Sequence, residues 1–130
     1  ATYLLTLFEE FKIEQPGQSR KTKNAFFDIT ERYKNALAIH IYQKQSIKGY
    51  ADLLNVSPNY LNKCTKFSIN KTAQELLIEM LILEAKFLLK YSNLQVSEIA
   101  VKLCDQTPSN FARFFKSQTG ITPKDYLELE

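Results

Sequence analysis

Two short stretches hold residues whose types suit one kind of chemistry. They are SPNYLNKCTK, from Ser57 to Lys66, and TPSNFARFFK, from Thr107 to Lys116. Each opens on a hydroxyl followed by proline, then carries amides and basic side chains. Asparagine can pair bidentately with adenine, and lysine or arginine can reach the acceptors of guanine. Hydroxyls, lysines and helix N-termini take phosphate oxygens. If each stretch is a helix opening at Ser57 or Thr107, Leu61 and Cys64 point inward, while Asn59, Asn62, Lys63 and Lys66 point out. In the second, Phe111, Phe114 and Phe115 supply the core side, and Ser109, Asn110, Ala112 and Arg113 point out. The predicted base readers are therefore Asn59, Asn62, Lys63, Ser109, Asn110 and Arg113. Ser57, Lys66, Thr107, Lys116 and Lys124 are the predicted phosphate contacts. Arg113 stands first, because arginine to guanine is the commonest specific contact. The phenylalanine stripe is read as core, since stacking on single strands needs exposed rings.

Charge placement agrees. Ser57 to Lys71 contains Lys63, Lys66 and Lys71 and no acid; Gln106 to Lys124 contains Arg113, Lys116 and Lys124 with Asp125 only beyond it. Glu75, Glu79 and Glu84 gather elsewhere. A basic face on a nearly neutral body is what phosphate binding requires. The net charge of +3 alone says little.

The elements that must position these side chains are legible as helices. Ser57-Pro58, Thr107-Pro108 and Thr122-Pro123 each pair an N-cap hydroxyl with proline at the first helical position. Thr72 with Glu75 forms a capping-box pattern. From Thr72 to about Lys90 the chain is apolar on most sides, which predicts a central helix touched from several directions. Phe26, Ile29, Tyr33, Leu37 and Ile41 predict a helix from about Asp28 to Gln43. Residues 3–13, with Leu4, Leu5, Phe8 and Phe11, predict a short amphipathic helix. Residues 14–24, with Pro16-Gly17, read as a linker.

An internal duplication ties the two stretches together. Ala51 pairs with Ala100 and Leu54 with Leu103. After one extra residue in the second copy, Pro58 pairs with Pro108, Leu61 with Phe111, Lys63 with Arg113, Lys66 with Lys116, Asn70 with Gly120 and Thr72 with Thr122. Each copy reads as helix, turn, capped helix. Asn70 and Gly120 are the types best able to close a helix in the left-handed conformation. The predicted fold is all-α and homeodomain-like, with seven helices. It holds two helix-turn-helix units, at about 46–67 and 95–117, joined by a long helix at about 72–90. A helix of that length spans ~28 Å at ~1.5 Å per residue, against ~34 Å for a turn of DNA, so two units could read successive major grooves.

Other classes find little support. Of the ionisable groups, His40 is the lone histidine, so no nucleophile–base pair can be argued, and no glycine-rich phosphate loop occurs. Cys64 and Cys104 match no zinc spacing and are read as reduced core positions. No metal or cofactor and no enzymatic activity are expected. Apolar residues at 45% suit a globular core, and no run is long enough for a membrane span. The chain opens on Ala1, which is read as a fragment of a longer cytoplasmic, nucleoid-associated protein. The competing reading is a helical protein-interaction module that keeps the fold without specific DNA binding.

LQVSEIAVKLCDQTPSNFARFFKSQTGITPKDYL, EAKFLL from Glu84 to Leu89 and SPNYLNKCTKF together resemble the AraC/XylS family of transcription regulators, over about residues 26–130. The resemblance implies a two-subdomain DNA-binding domain at residues 25–130 that binds double-stranded promoter DNA and works with RNA polymerase. It implies that residues 1–24 follow an upstream sensory domain, and that any homodimer forms at that end or outside this chain. Four departures from the family pattern cover six positions. Cys104-Asp105 replaces Gly-Phe, Met80 and Leu81 stand where arginine is frequent, Asn70 replaces glycine, and Gln95 replaces a Ser or Thr cap.

Overall fold

The computed structural model describes residues 20–43, 46–104 and 107–129, with backbone alone at Cys104. Among them are seven helices: α1 (Arg20–His40), α2 (Ile47–Leu53), α3 (Pro58–Ile69), α4 (Ala73–Tyr91), α5 (Val96–Cys104), α6 (Pro108–Thr119) and α7 (Pro123–Leu127). The amphipathic stretch 3–13 and most of the linker reading lie outside the described residues. So do Asp105, Gln106 and the Cys104 side chain. None of the described helices is long and apolar enough to cross a membrane.

α1 starts at Arg20, inside the stretch read as a linker, and stops at His40. Residues 20–25 hold no proline or glycine to break a helix, and Lys23 is buried there at 4% exposure. A lysine stem can cover apolar surface, so polar composition alone concealed this turn. Phe26, Phe27, Ile29, Thr30, Tyr33, Ala36 and Leu37 continue the buried face at helical spacing.

The described residues fall into two compact units, one of residues 20–40 and 46–77, the other of 41–43 and 78–129. In the first, α1 lies along α3, and α2 packs on both. Tyr33, Leu37, Tyr50, Ala51, Leu61, Cys64, Thr65 and Ala73 form its sealed centre. The Tyr33 and Tyr50 rings meet edge to face at 5.5 Å, and Phe26 tilts against Phe67 at 5.1 Å. Such pairs add to area burial. The α2–α3 turn is a Schellman closure. Val56 N–H reaches Ala51 C=O at 3.0 Å, Asn55 N–H reaches Asp52 C=O at 3.1 Å, and Asn55 sits at φ 59°.

In the second unit Leu81, Ala85, Leu88 and Leu89 of α4 are buried, as are Ile99, Ala100 and Leu103 of α5 and Phe111 and Phe115 of α6. Phe115 meets Tyr126 edge to face at 5.8 Å. Lys90 places its ammonium 5.0 Å above the same ring. Tyr42 donates its hydroxyl hydrogen to Glu84 Oε2, and Lys102 lies over the Tyr42 ring at 5.7 Å. Burial and that bond push the Tyr42 phenol up to about 12. α4 is not covered all round: Leu83 is 59% exposed and Phe87 55%. Its apolar composition exceeds what the packed neighbours cover.

Candidate nucleic-acid interface

Both helices that carry the predicted contacts are capped as their sequences dictate. Ser57 Oγ accepts from Tyr60 N–H at 3.1 Å, and Thr107 Oγ1 accepts from Asn110 N–H at 3.2 Å. Proline follows each cap. The far ends close in the left-handed conformation, Asn70 at φ 56° and Gly120 at φ 87°. α4 opens on the full reciprocal box: Glu75 N–H donates to Thr72 Oγ1 at 3.0 Å, and Thr72 N–H to Glu75 Oε1 at 2.9 Å. Those bonds to Thr72 hold the Glu75 carboxyl below its ordinary range. Gln95 has no hydroxyl, but its N–H donates to Glu98 Oε1 at 2.9 Å, so half a box opens α5.

The inward side of each helix is sealed. Leu61 and Cys64 of α3 and Phe111 and Phe115 of α6 are buried, whereas Phe114 is only half-buried. Burial pushes the Cys64 thiol up, which keeps it protonated and unreactive.

On the outward side, Asn59, Lys63 and Lys66 are exposed on α3 at i, i+4 and i+7. Ser109, Arg113 and Lys116 are exposed on α6 at the same spacing, and Asn110 beside them. One face of a helix collects such positions. Each helix therefore presents a polar stripe with two cations, and neither helix contains an acid. The Lys63 ammonium rests 5.7 Å from the centroid of the Phe26 ring. Ser57 and Thr107 are exposed at the helix openings, as is Lys124 at the start of α7. Each cap hydroxyl accepts one bond and keeps its own hydrogen to donate.

Asn62 is the exception. It was expected on the outward face, but it is half-buried and its Oδ1 accepts from Ala73 N–H at 2.9 Å. That bond turns the amide oxygen toward the start of α4 and engages one of its two lone pairs there. Ala112 is likewise half-buried. Two residues escaped the sequence reading. Ser117 is exposed on α6, seven positions after Asn110, with its hydroxyl bonded back to Phe114 C=O at 2.8 Å. Asn55 supplies the left-handed turn between α2 and α3; its type was the available signal.

The chain matches the family model described as a helix-turn-helix domain over residues 50–128. It is 24% identical to the helix-turn-helix-type transcriptional regulator YisR of Bacillus subtilis, over 95% of this chain and 43% of that protein. It thus spans less than half of that relative's length. Among solved structures it is similar to the C-terminal domain of AraT, a response regulator from Geobacillus stearothermophilus. The TM-score is 0.72 at 28% identity, covering 78% of this chain and 85% of that one. The DNA-binding domain of AdpA, solved with a target DNA, shares the fold at TM-score 0.68 and 19% identity, covering 76% and 89%. The matched span takes in both capped helices and the duplicated pattern around them, and the chain belongs to the AraC-type helix-turn-helix family of transcription regulators.

Proposed function

We propose that this chain is the sequence-specific, double-stranded DNA-binding module of a transcription regulator, and that α3 and α6 are its recognition helices. The observation that carries this is the repeated stripe: two equally capped helices, each free of acids, exposing an amide or hydroxyl and two cations at one spacing. The helices enter major grooves; Asn59, Lys63, Ser109, Asn110 and Arg113 read base edges. Ser57, Lys66, Thr107, Lys116 and Lys124 hold phosphates and set register without reading sequence. The protein acts on promoter DNA in the cytoplasm, on the nucleoid, alongside RNA polymerase. A sensory domain lies upstream of this module, and any homodimer forms at the N-terminus of this chain or outside it. The chemistry is recognition, with no catalysis.

The test is titration of the chain with random duplex at low and high salt, followed by selection from a random duplex pool. Micromolar or tighter binding that weakens as salt rises supports the reading, and two selected motifs support two reading heads. Arg113→Ala then costs about 1–3 kcal/mol and relaxes preference at one base position. Salt-independent binding, or none, refutes the reading in favour of a protein-interaction module.

A further inference from the structure

Asn62 lies on the proposed recognition helix and yet faces α4. Ala73 opens α4 and is fully buried. A first-turn N–H has no intrahelical partner, and unsatisfied burial of such a group is costly. Asn62 Oδ1 takes it at 2.9 Å. The Ala73 carbonyl accepts from the Tyr33 hydroxyl at 2.7 Å. Side chains from α1 and α3 thus hold both backbone polar groups of the residue that starts α4. Tyr33 is itself fully buried.

The internal repeat speaks to the role of this bond. Positions 50 apart correspond in the two copies, so Ala112 stands for Asn62 and Pro123 stands for Ala73. Pro123 is buried at the opening of α7 and has no N–H to satisfy. Ala112 has no acceptor to offer. Donor and acceptor are present together in one copy and absent together in the other. A base reader would have no reason to vanish with a backbone donor eleven residues along the chain.

We infer that Asn62 is a positioning residue: it fixes the rotation of α3 on the start of α4, and so the direction in which Asn59, Lys63 and Lys66 face. The second unit does the same work by packing, with Phe115 against Tyr126 at 5.8 Å. This rests on reading α3 as a recognition helix.

Four variants of the full chain test it: Asn62→Ala, Asn62→Asp, Ala73→Pro, and Ala73→Pro combined with Asn62→Ala. Readouts are the melting midpoint without DNA, affinity for the duplex selected by the parent, and the base-preference profile. Asn62→Ala is expected to lower the midpoint by about 4 °C or more, since a buried donor loses its partner. It weakens binding to the selected duplex by about 5-fold or more while the base-preference profile stays that of the parent. Asn62→Asp keeps an acceptor at a helix N-terminus and melts with the parent. In the Ala73→Pro background, Asn62→Ala changes none of the three readouts. Asn62→Ala that melts with the parent and loses adenine preference at one position overturns the inference. So does Asn62→Asp that falls as far as Asn62→Ala. The melting arm needs no DNA, so a parent that binds no duplex refutes the nucleic-acid reading separately from the Asn62–Ala73 bond.

Discussion

Replacing Lys116 with alanine isolates the electrostatic part of binding. Lys116 is exposed at the last turn of α6, so truncation leaves the core of Phe111 and Phe115 intact. Its side chain should cost little stability, within about 0.5 kcal/mol as for most surface positions. Three lysines are assigned to phosphates: Lys66, Lys116 and Lys124. Each neutralised phosphate contributes about −0.9 to the slope of log affinity against log salt. The parent's slope from these three is then about −2.7, and the variant's about −1.8. Across a fourfold rise in salt, the parent loses about 40-fold in affinity and the variant about 12-fold. Fluorescence anisotropy with a labelled duplex, at four salt concentrations, reads the slope directly. Arg32→Ala is the control, because Arg32 lies on α1, paired with Asp28 at 3.7 Å, and should leave the slope in place. The loss must be equal for selected and random duplex, since phosphate contacts carry no sequence. An unchanged slope for Lys116→Ala, or a loss confined to the selected duplex, refutes the phosphate assignment.

Two further outcomes concern stability. Asn70 closes α3 at φ 56°, ψ 33°, so Asn70→Val should destabilise by about 1–2 kcal/mol while Asn70→Gly stays near the parent, as read by denaturant midpoints. Equal effects of the two substitutions would sink the strain argument. Burial, with help from Lys71 and against the pull of Glu31, lowers the Lys34 ammonium from 10.5 to about 8. The folded chain therefore sheds this proton before the unfolded chain does, and stability should rise with pH from about 8. The rise ends near pH 10, where tyrosines of the unfolded chain ionise first, because burial raises Tyr33 and Tyr50 in the folded one. Urea midpoints across this window, flat or falling in the parent, would contradict the Lys34 environment; Lys34→Met should flatten the rise.

The sequence by itself determined the features governed by local rules. Every hydroxyl-proline cap it offered opens a helix, because an N-cap bond spans three residues and needs nothing from elsewhere. Asn70 and Gly120 close helices because few residue types tolerate a positive φ. The repeat identified which positions correspond, and helical period separated Leu61 and Phe111 from Lys63 and Arg113. What tertiary structure alone decided lies between elements. Period places Asn62 on a face but does not say that Ala73 N–H will meet it there. Polar composition hid the first turn of α1, because Lys23 is polar only at its tip. Apolar composition overstated the cover on α4, where Leu83 and Phe87 stay exposed. A side chain's type fixes what it can bond or bury; only the packed neighbours decide which partner arrives, and that is why Asn62, chosen as a reader of bases, holds the start of α4.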